Sequence, residues 1–276
     1  MVRFPLRRPA VLAALAAVLV AAVGLGVWLG ERTPPRPAVG LADGGGRVAL
    51  SPGGELVGLA SLPAEWRRDV ASALRTGRLA RPQTIADLAG AEPALRGSAS
   101  TAPFTLLAPV ATAVIGGRPL FRWTPLAAAR SFEVKVFDSD LHPVAASGPL
   151  TGTEWTPELP LTAGAVYGWQ VVAHLGDEDV LAPGPQAPPA LFRVLAADQA
   201  QAVASAAREA GDSPLALGVL YARSGLADDA ERELARVAAA NPGSVTARDL
   251  LASVRSWRST TAAAQPPSPT STNGAQ

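Results

Sequence analysis

The chain has 276 residues, 48% of them hydrophobic, with 24 Lys and Arg against 23 Asp and Glu and a formal net charge of +1. So even a balance gives no global field for a polyanion, and the sequence offers no nucleic-acid partner. Cysteine is absent and histidine occurs twice, which excludes a disulfide framework, thiolate chemistry and cysteine-ligated zinc.

Ala10–Leu29 is an unbroken apolar run of 20 residues, preceded by Arg3, Arg7 and Arg8. A helix of that length, at about 1.5 Å per residue, spans the ~30 Å hydrocarbon layer of a bilayer. The expectation is a single-pass transmembrane helix over 10–30 in contact with the lipid bilayer. Residues 1–9 would stay in the cytoplasm, and the bulk would lie outside the cytoplasmic membrane, in the periplasm of a cell with two membranes. The alternative is a cleaved signal peptide. Its apolar region is shorter, about 7–15 residues, and ends at a small-x-small site, whereas here Gly30-Glu31-Arg32-Thr33 follows. Ala22 and Gly26 stand at the small-xxx-small spacing through which such helices pair, a homodimer signal that arises easily in an Ala- and Gly-rich segment.

Residues 31–40 read as a Pro-rich extended spacer. Over 41–95 a β-hairpin is expected from Arg47–Leu50 and Glu55–Leu59, which flank Ser51-Pro52-Gly53-Gly54 with the Pro-then-Gly order of a type II turn. A helix follows between Pro63 and Gly77, with Trp66, Val70 and Leu74 forming one apolar stripe. Its other face carries Arg67, Arg68 and Arg75, with Arg78 and Arg81 beyond. These arginines read either as a solvated helix face, the simpler account, or as a contact for lipid headgroups or an acidic partner. The segment is too short to bury much core alone. Residues 91–102 read as a second linker.

Residues 103–195 carry alternating, turn-punctuated segments. Leu120–Trp123, Ser131–Phe137, Val144–Ala146, Thr153–Trp155, Tyr167–Ala173 and Leu191–Val194, with Phe104–Leu107, make about seven short strands, the pattern of an antiparallel sandwich. Phe-x-Trp at 121–123, Phe-x-Val-x-Val at 132–136 and Leu161-Thr162-Ala163-Gly164-Ala165-Val166-Tyr167 together resemble a bacterial fibronectin type III domain. That resemblance implies an all-β, immunoglobulin-like sandwich and a tyrosine corner, in which the Tyr167 hydroxyl bonds back to the preceding connection and Gly164 allows the turn.

Residues 196–257 switch to helical signals. Ala196–Ala210 ends at Gly211. Ser213 and Pro214 open the next helix, and Gly225 follows its end. Asp228-x-x-Glu231 looks like a capping box for a third helix that stops at Asn241-Pro242, and Ser244 opens a fourth that runs to Trp257. Leu217, Gly218, Tyr221, Gly225, Ala230, Leu234 and Pro242 resemble one tetratricopeptide repeat, with Pro214 and Leu234 departing from its aromatic positions. The resemblance implies an α-helical module in which Gly218 and Ala230 let two helices approach while Tyr221 and Leu234 fill between them. One such unit cannot bury its own apolar face, so those six residues from Leu217 to Leu234 are either repeat core or a protein-binding surface. Residues 258–276 read as a disordered polar tail.

The fold class expected is therefore multidomain: transmembrane helix, hairpin-and-helix segment, all-β sandwich and α-helical module in series. Catalytic signatures, phosphate loops and cofactor motifs are absent from the sequence. His142, beside Asp138 and Asp140, reads as an exposed turn before it reads as a metal ligand, and Asp177-Glu178-Asp179 as a hairpin loop. The functional expectation is a non-enzymatic, membrane-anchored binding or scaffold protein of the cell envelope with a protein partner and no cofactor. The alternatives are a transmembrane sensor similar to anti-sigma factors without their zinc domain, and a carbohydrate-binding protein using exposed tryptophans among Trp123, Trp155 and Trp169.

Overall fold

The computed structural model describes residues 39–89, 103–185 and 187–259. The expected helix over 10–30, its flanks and the tail beyond 259 lie outside the described residues. Twelve strands and six helices are present among those described.

The first element among the described residues is a strand that begins in the last two residues of the expected spacer. β1 (Val39–Asp43) pairs antiparallel with β2 (Gly46–Leu50), joined by Gly44-Gly45. Both glycines have positive φ, +52° and +81°, as a two-residue hairpin turn of this hand requires. β3 (Leu56–Val57) completes a three-stranded sheet, and Gly54 N–H donates to Ser51 carbonyl across the expected turn. Helix α1 (Ala64–Thr76) lies between Pro63 and Gly77, whose left-handed conformation lets its N–H close on the Ala73 carbonyl. A short helix α2 (Gln83–Ala89) follows.

The β region forms two packed sheets. One holds β4 (Leu106–Ala108), β6 (Phe121–Trp123) and β9 (Glu154–Trp155). The other has the order β5 (Thr112–Val114), β12 (Ala190–Val194), β10 (Val166–His174), β7 (Ser131–Phe137), β8 (Pro143–Ala146), with β11 (Asp179–Ala182) also on β10. Alternation aims Phe132, Val134 and Val136 of β7 and Tyr167, Trp169 and Val171 of β10 into one core with Phe121 and Trp123. Phe121 meets Trp169 edge-on at 4.9 Å between ring centroids. Tyr167 Oη accepts from Thr162 N–H at 2.9 Å, and Gly164 turns with φ +82°. The Trp169 indole donates to the buried Pro109 carbonyl at 2.7 Å.

Helices α3 (Ala197–Ala210), α4 (Pro214–Arg223), α5 (Ala227–Ala240) and α6 (Val245–Ser259) close the chain. Ser213 caps α4 by accepting from Ala216 N–H at 3.0 Å. α5 starts at Ala227 with Leu226 in the capping position, rather than behind Asp228.

The expected fold class is corrected here. Among the described residues no helix is long and apolar enough to cross a membrane. The larger β sheet is mixed, because β5 runs parallel to β12 while its other pairings are antiparallel. Nor do a hairpin segment and an α-helical module stand in series. Leu41, Val48 and Leu50 of the hairpin, Val70 and Leu74 of α1, and Leu215, Leu234 and Leu250 of the late helices form one hydrophobic cluster. The physical reason is that of an isolated helical pair: its apolar face needs a cover, and the N-terminal hairpin and α1 provide one.

Polar bonds fix this cover. Buried Asp43 accepts from Ser213 Oγ and, at 2.8 Å, from Leu215 N–H in the first turn of α4. The Asn241 side chain accepts from Ala42 N–H at 2.8 Å and donates to Ala42 carbonyl at 2.9 Å, completing the open edge of β1. The two bodies meet at β5. Ala113 N–H donates to Gly225 carbonyl, Ala227 N–H donates to buried Thr112 Oγ1 at 2.9 Å, and Ala113, Leu195, Val203 and Leu226 pack between them.

Candidate functional site

The six residues singled out in the helical region lie together as interior. Ala230 and Leu234 are fully buried, Gly218 is buried, and Leu217 and Tyr221 are half-buried against the same cluster. A Cβ on Gly218 would stand 2.9 Å from Leu234 Cγ, so glycine there sets how closely α4 and α5 approach. Gly225 turns the chain and offers its carbonyl to β5. Burial, followed by the negative charges of Asp229 and Glu233, raises the Tyr221 hydroxyl's pKa above the usual phenol value. The face that the sequence left open is closed by α1 and the hairpin.

A well-formed cavity lies elsewhere, on the outer face of the six-stranded sheet. Phe137, Gly168 and Leu191 stand in register across β7, β10 and β12. Their sequence neighbours Val136, Trp169 and Phe192 point into the core, so this row points out. Lacking a side chain, Gly168 leaves the centre of the row low between a phenyl ring and a leucine. Loops raise the two sides: the β7–β8 turn, with Leu141, and Pro183, Pro185, Ala187 and Pro189 after β11. The groove so formed is open, mostly apolar and about 700 Å³, within the roughly 300–1,000 Å³ of ordinary ligand sites. Gln170 supplies a polar group on its floor, and Asp138 and Ser139 supply others at its rim.

The turn that carries Leu141 is wound on one carboxylate. Asp138 Oδ1 accepts from Asp140 N–H and from His142 N–H, both at 2.9 Å, and Leu141 N–H donates to Asp138 carbonyl at 3.1 Å. The His142 backbone N–H foremost, with the Asp140 N–H and the His142 ring, holds the Asp138 carboxyl below the usual carboxylate range. Within this winding Leu141 takes a φ of +63° and stays 78% exposed. A left-handed leucine costs on the order of 1–3 kcal/mol, and its exposed side chain gains nothing from burial.

Asp138, Asp140 and His142 also bring one ligand atom each within 4.8 Å of one another, all at the surface. His174, the other histidine, bonds Asp179 at 2.6 Å on the outer face of β10 and β11. None of the three β-region tryptophans presents an exposed ring. Trp123 and Trp169 are each 2% exposed, and Trp155 is half-buried against Phe121.

Compared with protein-family models, curated proteins and solved structures, the chain matches none.

Proposed function

We propose that this is a non-enzymatic binding protein, held at a membrane by Ala10–Leu29, whose sheet groove takes an extended, apolar segment of a partner protein. The observation that carries the reading is Leu141. An apolar side chain held in a left-handed backbone and exposed at the wall of an apolar groove weakens the free protein, and contact with a partner accounts for both costs. The open floor of in-register strand residues fits an extended chain better than a compact ligand. Among the described residues a carbohydrate platform has no exposed tryptophan ring to stand on.

The test separates binding from folding. Leu141→Asn relieves the backbone and should raise the melting temperature while lowering affinity at least tenfold. Gly168→Leu fills the groove floor. Its Cβ would lie 3.4 Å from Leu191 Cδ2, an ordinary contact, so the fold should persist while binding is lost. The measurement is fluorescence anisotropy with extended leucine- and proline-containing peptides. Peptides that bind wild type and Gly168→Leu equally would remove the groove from consideration, and no binding at millimolar peptide would end the proposal.

A further inference from the structure

A second surface is defined by charge. Four arginines of the later helices are held in ion pairs: Arg223 with Asp69, Arg232 with Asp229, Arg236 with Glu233 and Arg255 with Glu231. Those of α1 are not. Arg67, Arg68 and Arg75 are exposed and make no ion pair among the described residues. Arg68 and Arg75 are seven residues apart, two turns of one face, opposite the buried Val70, Ala71, Ala73 and Leu74. The carboxylates of the same helix do little to offset them. Asp69 is engaged by Arg223, which also lies 5.1 Å over the Trp66 ring, leaving Glu65.

The second observation is the length of chain before β1. Nine residues, 30–38, separate the apolar run Ala10–Leu29 from Val39, and nine extended residues reach about 30 Å at most. A membrane-held chain therefore keeps the hairpin, and the helix packed on it, close to the headgroups. We infer that the face of α1 bearing Arg68 and Arg75 lies against an anionic lipid surface, orienting the protein on its own membrane. This rests on the membrane-held reading above. Charge complementarity favours lipid over a protein partner, because exposed cations without an apolar centre suit a diffuse anionic layer better than a packed interface.

The absence of cysteine allows a single label. Ser72→Cys, on the exposed side of α1, carries a fluorophore in the full chain, reconstituted in phosphatidylcholine vesicles with or without about 30% phosphatidylglycerol, with headgroup-attached quenchers. Quenching should rise with the anionic lipid, by about fivefold in the contact equilibrium per arginine engaged. It should fall at about 0.5 M salt and vanish in Arg68→Gln/Arg75→Gln. Equal quenching in both lipids, by a chain that resists alkaline extraction, overturns this inference and leaves the membrane-held reading standing. A chain extracted by alkali overturns the membrane-held reading and this inference with it.

Discussion

Gly218 shows how much one side chain can decide. The 2.9 Å separation between a Cβ built there and Leu234 Cγ leaves no room for a branched side chain, and Leu234 is fully buried with nowhere to move. Gly218→Val should cost about 1–3 kcal/mol by overpacking, read as a lower denaturant midpoint with an unchanged slope. That close approach was legible in the sequence, because small residues facing large ones at repeat spacing imply it. The groove was not. Leu141 looks like any turn leucine until its φ is known, and Gly168, between Tyr167 and Trp169, was absorbed into an alternating strand. A glycine inside a strand is a signal of close approach or a missing contact, and here it marked the floor of the groove.

Among the elements, the long alternating strands and amphipathic helices follow from periodicity, and β7 runs over Ser131–Phe137 as the pattern of alternation requires. The short elements do not announce themselves. β1 straddles the boundary between the expected spacer and the segment after it, although Val39, Leu41 and Asp43 alternate ahead of a Gly-Gly turn. β5, β11 and α2 are three, four and seven residues long, too few to establish a period, and tertiary pairing alone fixes them. The β7–β8 turn is sensitive to acid. Because the native Asp138 carboxyl titrates below its unfolded value, its contribution to stability is complete above about pH 3.9 and is lost as pH falls through the lower native value. The turn should stay closed at neutral pH and open in that acid range. Amide exchange at Asp140 and His142 measures this, with unchanged exchange down to about pH 2 as the contrary result.

At the scale of the molecule, the helical pair that seemed to need a partner has one in its own chain. One buried hydroxyl, that of Thr112, stands at the junction of the two bodies beside the Ala113–Gly225 bond. Thr112→Val keeps the shape but removes the acceptor of Ala227 N–H, and should cost about 1–3 kcal/mol. Thr112→Ser should restore most of it, and thermal melts of the two variants decide the matter. The bond between Ala42 and Asn241 crosses 199 residues of sequence. During synthesis at about 5–20 residues per second, the hairpin leaves the ribosome some ten to forty seconds before the helix end that closes its edge. The β region is complete well before then, so it can fold first while the hairpin and α1 remain uncovered. For that interval Leu41, Val48 and Leu74 are bare apolar surface, the kind that chaperones recognise and proteases reach. A nascent chain halted before α5 would hold a finished β region and an orphaned beginning.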